Sequence, residues 1–409
     1  MKQVLYQTTQ GRNAGYYLFL TVLLCVTGVA LYAAHYMDIN GHHVTGMNNQ
    51  IVWGMPHVFA IFLIVAASGA LNVGSIASVF GNIDYNPLAR LSALLAIALL
   101  AGGLAVLVLD LGQPDRLIVA MTYYNFKSIF AWNIFLYTGF ILIVAVYLWM
   151  MFERRFNRYS KPIGMFAFVW RFILTTGTGS IFGFLVARQA YDAAIMAPLF
   201  IVMSLSFGTA SFILVLIATY KWTQRPLSDD IVNKLRKLNG IFVAAVLYIV
   251  LAYHLTNLYA TEHHGVERFI LLEGGAITFV FWVVQILIGG VIPLILLFAP
   301  RANTRVSAVL ASCLIIIGAF GHLYVIIIGG QAFPLQLFPG MEVTSSFYDG
   351  VAGNYSPSMP EFGLGFGGIA MALLIVVIAV RVLPFLPASL VNLKSTESNV
   401  AGDTQAARV

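Results

Sequence analysis

Apolar residues in this chain come in long unbroken runs, separated by short polar turns. A hydrocarbon core about 30 Å thick takes about 20 helical residues to cross, and ten runs reach that length. They run Gly15 to Met37, Ile51 to Phe80, Leu91 to Gly112, Ser128 to Phe152, Pro162 to Tyr191, Ala193 to Tyr220, Leu238 to Ala260, Ile270 to Phe298, Val306 to Gly330 and Gly363 to Leu383. Backbone groups in lipid must be satisfied within each segment, and the runs lack the alternation of barrel strands. The pattern therefore predicts an all-α integral membrane protein of ten transmembrane helices, helix 1 to helix 10 in chain order.

Composition agrees, with 60% hydrophobic and 9% charged residues, against an apolar share of about half in soluble domains. Charge adds an orientation. Of the 22 Lys and Arg residues, seventeen fall on the side shared by both termini. Only Arg116, Lys127, Arg188 and Arg268 fall on the other, and Arg171 lies inside a run. The excess places both termini in the cytoplasm, as expected of a bacterial inner-membrane protein. The net charge of +6 is then a topology signal dispersed over short loops, not a nucleic-acid surface. Lys2 and Arg12 precede a run longer than a signal-peptide core, so helix 1 is expected to stay uncleaved. The polar tail from Pro384 to Val409 is expected to be disordered.

Cys25 and Cys313 stand alone in apolar runs, so no iron–sulfur cluster or c-type haem is expected on the chain, and no metal site. Gly363, Gly365 and Gly368 spell a dinucleotide-type glycine pattern, but no strand precedes them. Close helix packing is the reading.

The remaining polar residues are unevenly placed. All eight histidines, His35, His42, His43, His57, His254, His263, His264 and His322, fall at or near the outer face in this topology. The loop residues His42, His43, His263 and His264 read as interfacial fillers. His57, His254 and His322 lie within runs, where a polar side chain is costly without a partner or cavity. On helix 2, His57 shares a stripe with Ser68, Asn72 and Ser75. On helix 5, Arg171, Thr175, Thr178 and Gln189 align, with Arg188 and Asp192 at the outer end. Both stripes read either as interhelical hydrogen bonding, with Arg171 snorkelling to the boundary, or as a proton path through Asn72, Arg171, Thr175 and Asp192. In the outer half of helices 7 to 9, His254, Glu273 and His322 form a second cluster, open between structural bonding, proton handling and a second quinone site.

Asp110 stands in VLDLGQPDRL, where helix 3 leaves the membrane. Around it the outer ends of helices 2 to 5 gather His57, Trp132, Asn133, Arg188, Tyr191 and Asp192. Proton-transferring groups, donors and aromatic walls suit a quinone head group, whose two carbonyls need donors and whose two-electron step moves two protons. His57 and Asp110 are the catalytic candidates, with Trp132, Asn133, Arg188 and Tyr191 as further quinone contacts, for menaquinone or ubiquinone. Two rivals stay open. A cytochrome b subunit would pair His57 with His254 or His322 across haem. A secondary transporter would break a helix near mid-membrane, as Gly289, Gly290 and Pro293 could mark.

GMPHVFAIFLIVAASGALNVGSI from Gly54 to Ile76, DLGQPDRL, and NFKSIFAWNIFLYTGF from Asn125 to Phe140 resemble the membrane subunits of the NrfD and polysulfide-reductase (PsrC-like) family. The ten-helix length is closest to its DsrP and HybB branch. The resemblance implies bundles of four helices, at 51–191 and 192–330, flanked by helix 1 in segment 1–50 and helix 10 in segment 331–383, before the tail 384–409. It implies a quinone pocket at His57 and Asp110, facing a periplasmic ferredoxin-like iron–sulfur subunit. It also implies a larger complex, in sulfur metabolism of the DsrMKJOP type, with a multihaem cytochrome c and a haem b membrane subunit. The long outer loop from Gln331 to Phe362 would dock a periplasmic partner. Where the polysulfide-reductase pattern carries an asparagine about one turn before the histidine, this chain has Trp53.

Overall fold

A computed structural model of the chain describes residues 5–8, 14–81, 83–299, 304–335 and 350–390. Most of the expected docking loop, at 336–349, and the tail from residue 391 lie outside those residues.

The ten expected helices are present. Helix 1 spans Ala14–Asn40, helix 2 Met55–Ser78, helix 3 Asp84–Leu109, helix 4 Ile129–Phe152 and helix 5 Asn157–Gly183. Helix 6 spans Met196–Trp222, helix 7 Asp229–Tyr259, helix 8 Ala276–Phe298, helix 9 Arg305–Ala332 and helix 10 Met359–Val382. Two ends differ in a way that matters. Helix 5 stops at Gly183, so Arg188, Gln189 and Tyr191 ride on the turn that follows. Helix 8 begins at Ala276 rather than Ile270. The run before it closes one wide turn over Phe269–Glu273, with Gly274 N–H bonded to Phe269 O at 2.7 Å. Gly275 then takes φ +57°, which a residue without a Cβ adopts at least cost. Hydropathy reads straight through such a break. At Gly289, Gly290 and Pro293, the expected place of a transporter-like interruption, helix 8 runs on through wide turns to Phe298. The backbone of Gly289 instead meets that of Gly318 on helix 9.

Helices 2, 3, 4 and 5 pack in a ring, and helices 6, 7, 8 and 9 in a second. The rings join where helix 2 lies along helix 6, with Gly69 against Gly208. Helix 10 packs on helices 2 and 3, and helix 1 on helix 10. Helix 2 is thus the central post: 94% of its apolar window is buried, against 22% for helix 1. Polar residues on helix 2 must face protein, because no side of it faces lipid. Gly368 of helix 10 packs on Gly102 and Val106, a close approach of the kind its glycine pattern suggested.

Tyr6–Gln7 and Leu386–Pro387 pair as a two-residue antiparallel ribbon. Phe385, Leu386 and Leu390 are buried, so the segment expected to open a disordered tail is folded as far as residue 390. This Tyr6 end is opposite the His57 end, where helix 2 begins.

Candidate functional site

Helix 2 starts with Gly54 as its cap and Pro56 in its first turn, which sets His57 at the helix mouth. Helix 3 ends at Asp110, whose N–H closes onto Val106 O at 3.0 Å. The two helix ends are neighbours, so ring meets carboxylate: His57 Nδ1 lies 3.0 Å from Asp110 Oδ2. His42, from the loop after helix 1, brings Nε2 to 3.0 Å from the Asp110 carbonyl and 3.9 Å from Oδ1. The Asp110 side chain is 2% exposed and that of His57 24%. The carboxylate orients the ring by close approach at Nδ1, since among the described residues neither Nδ1 nor either Asp110 carboxylate oxygen makes a hydrogen bond. Nε2 is then the nitrogen free to take up or deliver a proton at the accessible edge.

Rings surround that edge. Trp53 stacks on His57 with centroids 6.1 Å apart and on Tyr191 at 6.5 Å. Phe130 and Phe182 meet Trp53 edge-on at 6.1 and 6.0 Å. Trp53 is itself held by its backbone: Gln331 Oε1 accepts the N–H groups of Val52 and Trp53, and Gln331 Nε2 donates to Trp53 O at 3.0 Å. Arg188 donates to Gln331 O and Gln50 O, both at 2.8 Å. Burial lowers the Arg188 pKa, and the nearby Tyr191 opposes that. Burial also pushes the Tyr191 phenol well above its ordinary range, so it stays neutral and donates to Ile327 O at 2.7 Å.

Behind this mouth a polar seam runs down bundle one. Ser68 Oγ and Thr175 Oγ1 are 2.6 Å apart, and Arg171 donates to Asn72 Oδ1 at 3.2 Å and to Ser68 O at 3.4 Å. Arg171 is 1% exposed and stacks over Phe172 at 4.2 Å, so it is buried and does not snorkel. Thr178 continues the seam to Tyr137 and Asn133. At the Tyr6 end a cavity of about 440 Å³ opens among Ser78, Arg90, Tyr147, Asn157, Ser160 and Lys161.

The family model described as polysulphide reductase, NrfD, matches residues 43–335, which include both bundles and the whole His57 mouth. The chain belongs to the NrfD family. Among its relatives is an Hdr-like menaquinol oxidoreductase integral membrane subunit of Archaeoglobus fulgidus, 27% identical over 93% of this chain and 96% of the relative. Another is the menaquinone reductase integral membrane subunit of Nitratidesulfovibrio vulgaris, 23% identical over 90% of this chain and 92% of the relative.

In this NrfD-family chain His57 and Asp110 meet directly, and Tyr191 lies behind them across the Trp53 ring. Other candidates do not reach the mouth. Trp132 is 43% exposed, its indole donating to Phe126 O at 2.9 Å; it sits as an interfacial anchor. Asn133 is buried between helices 4 and 5, donating to Gly177 O at 3.0 Å and Ile129 O at 2.9 Å. Arg188 braces backbone, and Asp192 is exposed. Sequence reasoning missed His42, Phe130, Phe182, Gln50 and Gln331. Trp53, one turn before His57, stands out in the sequence only as a departure from the family pattern.

In bundle two the cluster forms around a different carboxylate. Glu273 is exposed and pairs with Arg268, because the turn at Gly274 and Gly275 carries it outward. Glu267, on the short helix His264–Arg268, is fully buried, with Oε2 2.7 Å from His254 Nδ1. His57 and His254 thus each turn Nδ1 to a buried carboxylate.

Proposed function

We propose that this chain is the quinone-reactive membrane subunit of a respiratory oxidoreductase complex, with its quinone site at the His57 mouth. The observation that carries the reading is the His57–Asp110 pair, a buried carboxylate behind a partly exposed imidazole among aromatic rings. The names of the two relatives support it, since they are subunits of a menaquinol oxidoreductase and a menaquinone reductase; menaquinone is therefore the preferred quinone. The residues fit such a group: Trp53, backed by the buried Tyr191, and the half-exposed Phe130 offer flat faces, and His57 Nε2 offers a donor or acceptor.

A bound quinone supplies a two-electron, two-proton couple. Within the chain, Asp110 fixes the His57 ring and balances its charge, His57 holds or moves a proton at Nε2, and the rings around Trp53 exclude water. Protons reach His57 along the seam of Thr178, Thr175, Ser68, Arg171 and Asn72, from the cavity at the Tyr6 end. We place that end in the cytoplasm, on the basic-residue count. Electrons cross at the His57 end to an iron–sulfur partner subunit, in a DsrP-like complex of sulfur metabolism with haem-bearing subunits.

The test is quinone-analogue binding to the purified complex, wild type against His57→Ala and Asp110→Asn, with assembly checked in each. Selective loss of binding with assembly intact supports the site. Unchanged binding and turnover in both variants refutes it.

A further inference from the structure

Bundle two contains buried chemistry that a quinone site in bundle one does not use. Glu267 is fully buried. Its Oε2 faces His254 Nδ1 at 2.7 Å and its Oε1 accepts from Asn257 Nδ2 at 2.9 Å. The His254 ring is wedged edge-on between Tyr253 and Phe281, at 5.0 and 4.8 Å. A carboxylate and an imidazole are costly to bury, and each needs the other to stay there. A structural bond would be met more cheaply by neutral groups.

The surroundings decide between the chemistries such a pair can perform. His254 lines a cavity of about 20 Å³ with His322 of helix 9 and Gln285 of helix 8. A second cavity of about 20 Å³ continues from His322 and Gln285 to Ser206 of helix 6. Each has room for about one water, whereas a head group needs a cavity of about 300 Å³ or more. This is no second quinone site. Gln285 Oε1 is buried with no hydrogen-bond partner among the described residues. So are Thr209 Oγ1 on helix 6, Asn239 Oδ1 and Nδ2 and Arg236 Nε on helix 7, and Ser312 Oγ on helix 9. Buried polar atoms without protein partners are where ordered water is held. These stand on all four helices, and Arg236, Asn239 and Ser312 lie toward the Tyr6 end. Around His254 the ionisable groups are Glu267, Tyr253, whose hydroxyl donates to Ala190 O at 3.0 Å, and His322. From helix 6 only Met196 and Leu199 line its cavity.

We propose that bundle two carries a proton-loading site, the His254–Glu267 pair. A water-threaded file through His322, Gln285 and Ser206 connects the pair to the bundle interior. One proton moves between His254 Nδ1 and Glu267 Oε2, and no electron is involved. The site goes beyond the quinone reading. It touches the His57 mouth only at the seam where Tyr253 bonds Ala190, next to Tyr191.

The first test is an infrared pH titration of the full chain, reading the protonated-carboxyl stretch. A titrating band is expected in the wild type, absent in Glu267→Gln and kept in Glu273→Gln and Asp110→Asn. Identical spectra of wild type and folded Glu267→Gln overturn the proposal. This readout needs no quinone, so failure of the quinone site at His57 leaves it intact. The second test reconstitutes the complex in liposomes and counts protons moved per electron. Glu267→Gln should lower that ratio while electron turnover stays within about twofold of wild type. An unchanged ratio, or turnover lost together with the ratio, overturns the proposal. Should Glu267→Gln fail to assemble, His254→Gln carries the proton count with the same expected and overturning results; in the infrared titration it should move the Glu267 band to a different pH range, and an unmoved band overturns the proposal.

Discussion

Gln331 grips Trp53 by both of its backbone groups, accepting from its N–H and donating to its carbonyl, each at 3.0 Å. The amide is 1% exposed, and no other residue type offers a donor and an acceptor of that shape at the end of helix 9. Leucine in its place would leave the part-buried N–H groups of Val52 and Trp53 without this acceptor. Gln331→Leu should cost about 1–3 kcal/mol of stability and weaken quinone-analogue binding, because Trp53 loses its fixed angle to His57. Thermal unfolding and analogue titration check both; a variant with wild-type binding would show that Trp53 needs no brace.

Asp110 acts through His57. Asp110→Asn keeps the shape and removes the charge, so the ring loses the charged partner that faces its Nδ1 at 3.0 Å. Quinone-linked turnover should fall by about 10²–10⁴-fold, the range for losing general acid–base assistance, with the complex still assembled. His42→Ala should fall less, since its closest bond is to the Asp110 carbonyl and its distance to Oδ1 is 3.9 Å. Steady-state turnover of the two variants gives the order; an equal loss would make His42 a full partner.

Hydropathy marks the ten helices because lipid imposes length and apolarity on every span, and His57 and Asp110 stand out because a polar residue at a span end is expensive. Hydropathy does not mark which way a side chain turns at an interface. Trp132 and Trp53 are both tryptophans near the same end of the bundle, yet one anchors to Phe126 O and the other stacks on His57. Nor does it mark a glycine-borne turn inside an apolar run, and for that reason the sequence points to Glu273 where the buried acid is Glu267. Gln331 carries no signal, and His42 reads only as an interfacial filler, because their closest partners are backbone atoms of residues distant in the chain.

Two substitutions should therefore do little. Trp132→Phe keeps an interfacial ring, and Glu273→Gln removes one exposed ion pair, of a kind that contributes about 0–1 kcal/mol. Both should leave analogue affinity and turnover at wild-type levels. A clear loss of binding in Trp132→Phe would return that residue to the site.

Tyr355 joins helix 10 to helix 2: its hydroxyl donates to Glu361 Oε1 and accepts from Met55 N–H at 2.6 Å. Burial, reinforced by the Glu361 carboxylate, raises its pKa well above the ordinary 10.0. A phenol with a raised folded-state pKa contributes stability that is complete below its unfolded value and is lost as pH climbs past it. Thermal stability should therefore decline above about pH 10, and decline less steeply in Tyr355→Phe. Parallel alkaline profiles would remove Tyr355 as the cause.

The two bundles meet backbone to backbone at Gly69 and Gly208. A Cβ at Gly208 would fall on the backbone of Gly69 and Ala70, and one at Gly69 on the carbonyl of Ser204. None of these atoms belongs to a flexible side chain, so the helices themselves must part. Parting them would strip contacts along the central, almost wholly buried helix 2. Gly208→Leu should therefore cost about 3 kcal/mol or more, at the upper end of overpacking penalties, and shift the polar seam and the His57 mouth together. Gly28→Leu on helix 1, where a Cβ meets nothing within 4 Å, should cost little. Melting temperatures of the two variants, measured in the same detergent, make the comparison. Equal values would mean that the bundles are not held by this contact.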